Sequence, residues 1–170
     1  PEAKVSASRS VAFDLLRGVL AKRTPLDEAL AAHDGLAKLP DRDRGFARLL
    51  VATTLRRLGH IDRLIDKCLD KPLPTKAAVV RDILRLAVTE LLVLGVAPHA
   101  AVDSAVTLVR SRGFEPFVKL TNAVLRRLDR EGRGEILNLP ALAALPEWLA
   151  DGWRAAYGET TAEAMAAAGF

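Results

Sequence analysis

Apolar residues recur at helical spacing along most of the chain, and the most apolar of these stretches runs from Val79 to Leu94. Two neighbouring apolar stripes follow this segment. Its charged positions are few: Arg81, Asp82, Arg85 and Glu90. A helix that is apolar around most of its girth needs neighbours on several sides. The pattern therefore predicts a central helix in a helical bundle, with these charged positions as its solvent-facing edge.

Shorter apolar stripes on both sides predict the helices that surround it. The first helix is expected to be capped by Ser8 or Ser10, and a second opens at Thr24-Pro25. A third starts at Asp41 and is interrupted at Gly59-His60. The remaining inner stripes are Ile61, Leu64, Ile65 and Cys68; Ala101, Val102, Ala105, Val106 and Val109; and Phe117, Leu120, Val124 and Leu128. No stretch shows the alternation of a strand, so the predicted fold class is all-α.

The pattern changes beyond Gly132 and Gly134. Two prolines punctuate a short helix from Glu147 to Tyr157, which Gly158 ends, and Thr160 or Thr161 is expected to cap a last, alanine-rich helix. We therefore divide the chain into a helical bundle, residues 1–132, and a helical extension, residues 133–170.

The charge of the chain favours an anionic partner without identifying it. The 170 residues carry a net charge of +4, with 18 arginines and 7 lysines, and arginine is the better bidentate ligand for phosphate. The single cysteine excludes an internal disulfide bond and favours a cytoplasmic location. No apolar run approaches the roughly 20 residues of a membrane span, so no membrane partner is expected.

The residues that usually carry catalysis are scattered. Three histidines lie in separate predicted turns and there is no cysteine cluster, so no metal site is predicted. Cys68 falls on an apolar stripe, where a thiol stays protonated and inert. No glycine-rich loop follows a strand, and acids and histidines form no triad. The sequence therefore predicts a chain without catalytic residues.

Some of the basic residues are harder to explain as structural. Lys4 and Arg9 lie at or before the start of a helix, where the helix dipole disfavours cations, so they either meet an anionic partner or lie free in solvent. The loop from Arg112 to Lys119 places Phe114 and Phe117 between cations, a mixture that suits single-stranded RNA. The alternative is that the two rings plug the end of the bundle, which we favour for Phe117. Dipole complementation explains much of the arginine cluster that includes Arg126.

Two motifs resemble the NusB superfamily of all-α RNA-binding bundles: Pro98-His-Ala-Ala-Val-Asp-Ser-Ala-Val106 and Asn122-Ala-Val-Leu-Arg-Arg-Leu128. The resemblance covers about residues 6–132. Asp41-Arg-Asp-Arg-Gly45 and Leu145-Pro-Glu-Trp-Leu149 are similar to the RsmB (Sun/Fmu) branch of that superfamily, in which the bundle precedes an rRNA cytosine-5 methyltransferase. Lys119, three residues before Asn122, instead matches the branch of free transcription antitermination factors.

The resemblance implies a NusB-like bundle whose RNA-facing surface combines the basic N-terminal segment with the loop ahead of the Asn122 helix. Carried over to this sequence, that surface comprises Lys4, Arg9, Arg112, Phe114 and Lys119, and we add Arg126 from the following helix. The methyltransferases of this branch bind S-adenosylmethionine and use two cysteines, whereas this chain has one. The resemblance therefore predicts that the cofactor belongs to a catalytic domain elsewhere in the polypeptide.

The expected function is an accessory domain that positions small-subunit rRNA for methylation by that catalytic domain, with rRNA and the catalytic domain as its partners. One alternative is a free antitermination factor that binds leader RNA and a ribosomal protein. Another is a purely structural or dimerisation bundle, since NusB-type bundles sometimes form homodimers. The sequence encoded after Phe170 would distinguish the first two.

Overall fold

A computed structural model describes residues 4–170, and over that range it contains ten α-helices and no strand. The prediction of an all-α fold is thus confirmed. The helices are α1 (Ala7–Leu20), α2 (Leu26–Ala32), α3 (Asp34–Ala37), α4 (Asp41–Arg56), α5 (Leu58–Lys67), α6 (Ala78–Leu92), α7 (Pro98–Ser111), α8 (Val118–Asn138), α9 (Glu147–Tyr157) and α10 (Glu159–Ala168). Single 3-10 turns at Thr75–Ala77, Glu115–Phe117 and Ala141–Ala144 precede α6, α8 and α9.

The predicted central helix is α6. It packs against α1, α4, α5, α7 and α8, and its apolar side chains, such as Leu84, Val88 and Leu91, are fully buried. Contact with five helices leaves little of its surface for water, which is what its two apolar stripes predict. The bundle core therefore forms around α6.

The prediction of a solvent-facing edge on α6 is wrong for its two acids. Asp82 is only 1% exposed and Glu90 only 2%. Arg17 donates from Nη1 to Asp82 Oδ2 at 2.9 Å, and Arg85 donates from Nη1 to Asp82 Oδ1 at 2.7 Å. Because neighbouring helices cover α6 on all sides, its carboxylates are neutralised by arginines instead of by solvent.

Three predicted helix boundaries also differ from the observed ones. The α1 cap is Ser6, whose Oγ accepts from the Arg9 backbone N–H, whereas Ser8 and Ser10 lie inside the helix. The break between α4 and α5 falls at Arg57 and not at Gly59-His60, which belong to α5. Since α10 begins at Glu159, directly after Gly158, neither Thr160 nor Thr161 caps it.

The long helix α8 passes through Gly132 and Gly134 without a break and ends at Asn138. Ile136 still belongs to the bundle core. A second, smaller core follows, and it comprises Ala141, Leu142, Ala150, Ala162 and Ala166. The observed second core thus starts about two helical turns after residue 132. The division of the chain into two domains at that residue stays a prediction.

The bundle and the extension meet at the start of α5. A side chain at Gly59 would collide with the backbone carbonyl of Ala143, so only glycine allows this approach. The adjacent His60 residue is 1% exposed. Its Nε2 atom lies 2.8 Å from the Pro140 carbonyl oxygen. Because a carbonyl only accepts, Nε2 carries the proton, and Nδ1 has no partner among the described residues. The neutral ring therefore fits this junction.

Protonation of His60 is expected to destabilise the protein as the pH falls. Burial, followed by the charges of Arg57 and Arg63, lowers the pKa of His60 below 6.5, against the raising effects of the Pro140 carbonyl and Glu163. The unfolded chain then takes up a proton near pH 6.5 while the folded chain does not, so stability falls from there down to the folded-state pKa. Urea unfolding at pH 7.5 and pH 5.5 should show this loss, and it should be smaller in His60→Gln. An unchanged pH dependence in that variant would contradict the assignment; the exposed His99→Gln variant is the control.

Candidate nucleic-acid interface

Three segments that are distant in sequence meet at one end of the bundle: the start of α1, the end of α7 and the loop before α8. Arg112, at the end of α7, donates from Nη2 to Ser10 Oγ of α1 at 3.1 Å. Its guanidinium also lies over the Phe13 ring, 4.7 Å from the centroid, and 3.7 Å from Asp14 Oδ1. The side chain keeps 35% of its surface exposed. Arg112 therefore joins α1 to α7 and still presents a partly open guanidinium edge.

The end of α7 fixes the position of Phe114. Gly113 has a positive φ of 83°, and its N–H donates to the Arg110 carbonyl. The N–H of Phe114 donates to the Val109 carbonyl at 3.1 Å. This pair of hydrogen bonds is the Schellman motif, which turns the residue after glycine back onto the helix. The half-buried Phe114 ring consequently packs on the core, with its centroid 6.1 Å from that of Phe117.

Phe114 and Phe117 therefore both close the end of the bundle. This confirms the structural reading of Phe117. For Phe114 the Schellman turn directs part of the ring inward, and its role as a stacking ring stays a prediction. The part that stays accessible lies next to Arg112 in sequence and before Lys119.

The structure provides an internal partner for Arg9. Its Nη2 donates to Glu90 Oε1 at 2.6 Å and its Nε donates to the same oxygen at 2.9 Å. Its guanidinium carbon also lies 5.3 Å from the centroid of the Phe46 ring. Arg9 was assigned to the RNA surface because a cation at a helix start requires an anion. The structure supplies that anion as the buried Glu90 carboxylate, so Arg9 holds α1 on α6, and its assignment to the RNA surface stays a prediction.

The two lysines of the predicted set are both exposed. Lys119 occupies the first turn of α8, and Lys4 precedes α1. Neither forms an ion pair or a side-chain hydrogen bond with a residue that the structure describes. Lys119 directly follows the loop that carries Phe114, so its ammonium group remains available at the end of the bundle where Arg112 is exposed.

The structure does not bring Arg126 to this loop. Arg126 is exposed on α8, seven residues after Lys119, which is about 10 Å along the helix. It borders a cavity of about 240 Å³ lined by Pro98, His99, Val102, Asp103 and Asp129. The two carboxylates of this cavity oppose an approaching phosphate. Arg126 lies on the same side of α8 as Lys119 but two turns farther along, and its role in RNA binding stays a prediction.

Other chemistry within residues 4–170 is limited. Burial raises the pKa of the half-buried Cys68 thiol, with the Glu131 and Glu135 charges acting in the same direction and Arg127 and Lys67 opposing it. The described residues contain no group of three or more metal-ligating side chains placed to hold an ion. None of their helices combines the length and the apolar character needed to cross a bilayer.

The acids that organise this region were missed in the sequence. Arg9 and Arg17 are eight residues apart on α1, and Asp82 and Glu90 are eight residues apart on α6. The pairs match in antiparallel order, Arg9 with Glu90 and Arg17 with Asp82. Equal spacing of opposite charges on two predicted helices was the signal that would have found them.

Comparison with known proteins places these residues in a family. The profile described as the NusB family matches residues 6–130. Ribosomal RNA small subunit methyltransferase B of Xylella fastidiosa is 36% identical over 157 residues, which cover 90% of this chain and 35% of that protein. The Thermus thermophilus protein of the same name is 39% identical over 122 residues, covering 71% of this chain and 28% of that protein. The chain thus spans about a third of the length of these curated relatives.

Two solved structures resemble the bundle. T. maritima NusB superposes with a TM-score of 0.66 at 25% identity, covering 82% of this chain and all of that chain. A structure of the antitermination factors NusB and NusE in complex with dsRNA gives a TM-score of 0.63 at 26% identity, covering 73% of this chain and 94% of that chain.

Proposed function

The chain belongs to the NusB family, and from this premise we propose that it is the RNA-binding domain of an rRNA (cytosine-5) methyltransferase. Its role is to hold small-subunit rRNA so that a catalytic domain of the same polypeptide can methylate it. The observation that carries the proposal is the convergence of the α1 start, the α7 end and the loop before α8, with Arg112 and Lys119 both exposed at the two ends of the segment that carries Phe114.

The chemistry of this end of the bundle suits RNA. Arg112 is held in place by Ser10 and Phe13, so a phosphate that binds its exposed edge orders no further side chain. Lys119 adds a second cation whose charge is not neutralised by a described residue. The accessible part of Phe114 offers an apolar surface to a base. The solved complex of NusB and NusE with dsRNA, which shares this fold, supports the same partner class.

The methyltransferase assignment is favoured over a free antitermination factor by the relatives. The Xylella relative matches 90% of this chain, whereas the NusB profile ends at residue 130. The extension also exposes apolar side chains. Of the six exposed large hydrophobic residues among those described, five lie in or next to it: Leu137, Trp148, Tyr157, Met165 and Phe170. We assign exposed apolar residues of the extension to contact with the catalytic domain.

S-adenosylmethionine belongs, in this proposal, to the catalytic domain. The described residues contain no strand and hence no strand-to-helix glycine loop of the kind that cradles such cofactors. The residues of this chain bind and orient RNA and take part in no chemical step. The predicted cytoplasmic location belongs to the same proposal, and a homodimer stays a prediction.

The RNA-binding role predicts a specific effect of Lys119. In fluorescence anisotropy with a labelled small-subunit rRNA hairpin at low salt, Lys119→Glu should weaken binding about 10-fold and reduce the slope of log K against log salt by about 1. The cause is the loss of one phosphate contact and the gain of a repulsive charge.

The matched control is Lys71→Glu, which makes the same charge change on an exposed lysine ahead of α6. That position lies between α5 and α6, outside the segments of α1, α7 and α8 that form the interface. The affinity of the Lys71→Glu variant for the hairpin should stay within about 2-fold of that of the unmodified protein. Equal losses in the two variants would reduce the interaction to a non-specific effect of net charge, and no binding by the unmodified protein would overturn the proposal.

A further inference from the structure

The outer face of α4 carries a cluster of cations that the interface described above does not use. This α4 face comprises Arg42, Gly45, Arg48, Leu49 and Arg56. We propose that it is a second phosphate-binding surface, which continues the interface along the same RNA strand. The inference rests on the proposed function, since it takes RNA as the partner.

The α4 face is open to solvent over its whole length. Its members are spaced so that Arg42, Leu49 and Arg56 recur every seven residues, with Gly45 and Arg48 beside them. The opposite side of the helix, including Leu50 and Val51, is fully buried. A side chain at Gly45 would touch nothing within 4 Å, and Leu49 is 49% exposed. At its C-terminal end, Arg56 borders a groove that Trp153 and Phe170 of the extension also line. The other members of the face border no groove with another described element.

The charge of the α4 face is not balanced by nearby acids. Arg42, Arg48 and Arg56 form no ion pair within 4 Å with any described carboxylate. Arg44 of the same helix, in contrast, is paired with Asp41. Asp43 is the remaining acid of the first turn, where the helix dipole favours it. Three guanidinium groups thus face solvent along about 21 Å of helix, from residue 42 to residue 56.

Contacts between side chains link the α4 face to the interface. Arg112 bonds to Ser10 of α1, and the neighbouring Arg9 lies over the Phe46 ring of α4. Phe46 is four residues from Arg42, one turn along the helix. Only the start of α1 therefore separates the two surfaces. An RNA strand that contacts Arg112 and crosses α1 meets the α4 face next.

The composition of the α4 face favours a phosphate backbone over an acidic protein. Guanidinium groups bind phosphate oxygens bidentately. Gly45 and Leu49 leave a low, apolar patch between the arginines, on which a ribose or base can rest. An interface core for a protein partner would need a larger apolar centre than one exposed leucine.

The test removes the three charges together. The variant Arg42→Gln/Arg48→Gln/Arg56→Gln keeps helix-forming side chains on an exposed surface, so the fold should be retained, as far-UV circular dichroism will check. In anisotropy measurements with a single-stranded rRNA segment of about 20 nucleotides, its affinity should fall at least about 10-fold at low salt. The magnitude of the slope of log K against log salt should fall by about 2, because each of the three lost phosphate contacts contributes about 0.7.

Two comparisons make the outcome specific. The control Arg127→Gln/Arg133→Gln/Arg154→Gln removes the same charge from arginines that are paired with carboxylates of the described chain, and it should bind within about 2-fold of the unmodified protein. An oligonucleotide of about 5 nucleotides, which reaches only the first interface, should not distinguish the α4 variant from the unmodified protein. Equal binding of the long RNA by the α4 variant and the unmodified protein would overturn this inference alone. Failure of the unmodified protein to bind any RNA would instead overturn the proposed function.

Discussion

Replacing Arg9 by methionine should lower the free energy of unfolding by about 3 kcal/mol at pH 7, because the buried Glu90 carboxylate loses its partner. The Glu90 side chain is 3% exposed and the Arg9 side chain 20%, so water cannot replace the lost hydrogen bonds. Burial already raises the pKa of Glu90, and Arg9 opposes that rise. Without Arg9 the folded-state pKa rises further above 4.5, and stability is lost as the pH increases through it. Urea unfolding at pH 7 and pH 5 should show the larger loss at pH 7.

A second substitution tests the cause. Arg9→Met combined with Glu90→Leu replaces the ion pair by apolar side chains of similar size and should recover most of the lost stability. Arg130→Met, at an exposed position without a described partner, should change the free energy of unfolding by less than about 0.5 kcal/mol. If Arg9→Met unfolds like the unmodified protein and only RNA affinity falls, the assignment of Arg9 to the fold is wrong and the original assignment to the RNA surface returns.

Replacing Gly59 by alanine should detach the extension from the bundle while the bundle stays folded. The added methyl group would collide with the Ala143 carbonyl, so the backbone of the extension must shift, at a cost of about 1–3 kcal/mol. Both tryptophans, Trp148 and Trp153, lie in the extension. Tryptophan fluorescence therefore reports on the extension, whereas far-UV circular dichroism reports mainly on the bundle. In urea, the fluorescence transition should move to a lower concentration and separate from the circular dichroism transition.

Gly152→Ala provides the matched control for that experiment. It introduces the same methyl group on α9 of the extension, where nothing lies within 4 Å. Alanine is the better helix former, by about 1 kcal/mol, so this variant should be as stable as the unmodified protein or more stable. Coincident, unshifted transitions in Gly59→Ala would show that the extension does not depend on this close approach.

The sequence predicts the bundle well because its pattern depends on local spacing. The two stripes of α6 require neighbours on several sides, and the structure surrounds that helix with five others. The short helix from Glu147 to Tyr157 is also recovered with its predicted limits, since proline and glycine mark both ends. Position along one helix is enough for such predictions.

Partners between helices were harder to predict. The spacing of Asp82 and Glu90 along α6 is the same whether water or an arginine from another helix contacts them. The spacing alone therefore assigned both acids to solvent. Arg9 was placed on the RNA surface for the same reason, because its partner lies 81 residues away in the chain. Lys119 was predicted at the end of a loop, and it is exposed in the first turn of α8. The fold is thus readable from local pattern, whereas the candidate site also depends on which charges the fold pairs internally.

Amide chemical-shift mapping of the isotopically labelled chain, titrated with an rRNA hairpin, locates the RNA contact on the protein directly. Residues 112–119 and the first turn of α1 should show the largest shift changes, while the amides of α9 and α10 should stay unchanged. Shift changes confined to α9 and α10, or spread evenly over the surface, would contradict the assignment of RNA binding to the end of the bundle formed by α1, α7 and α8.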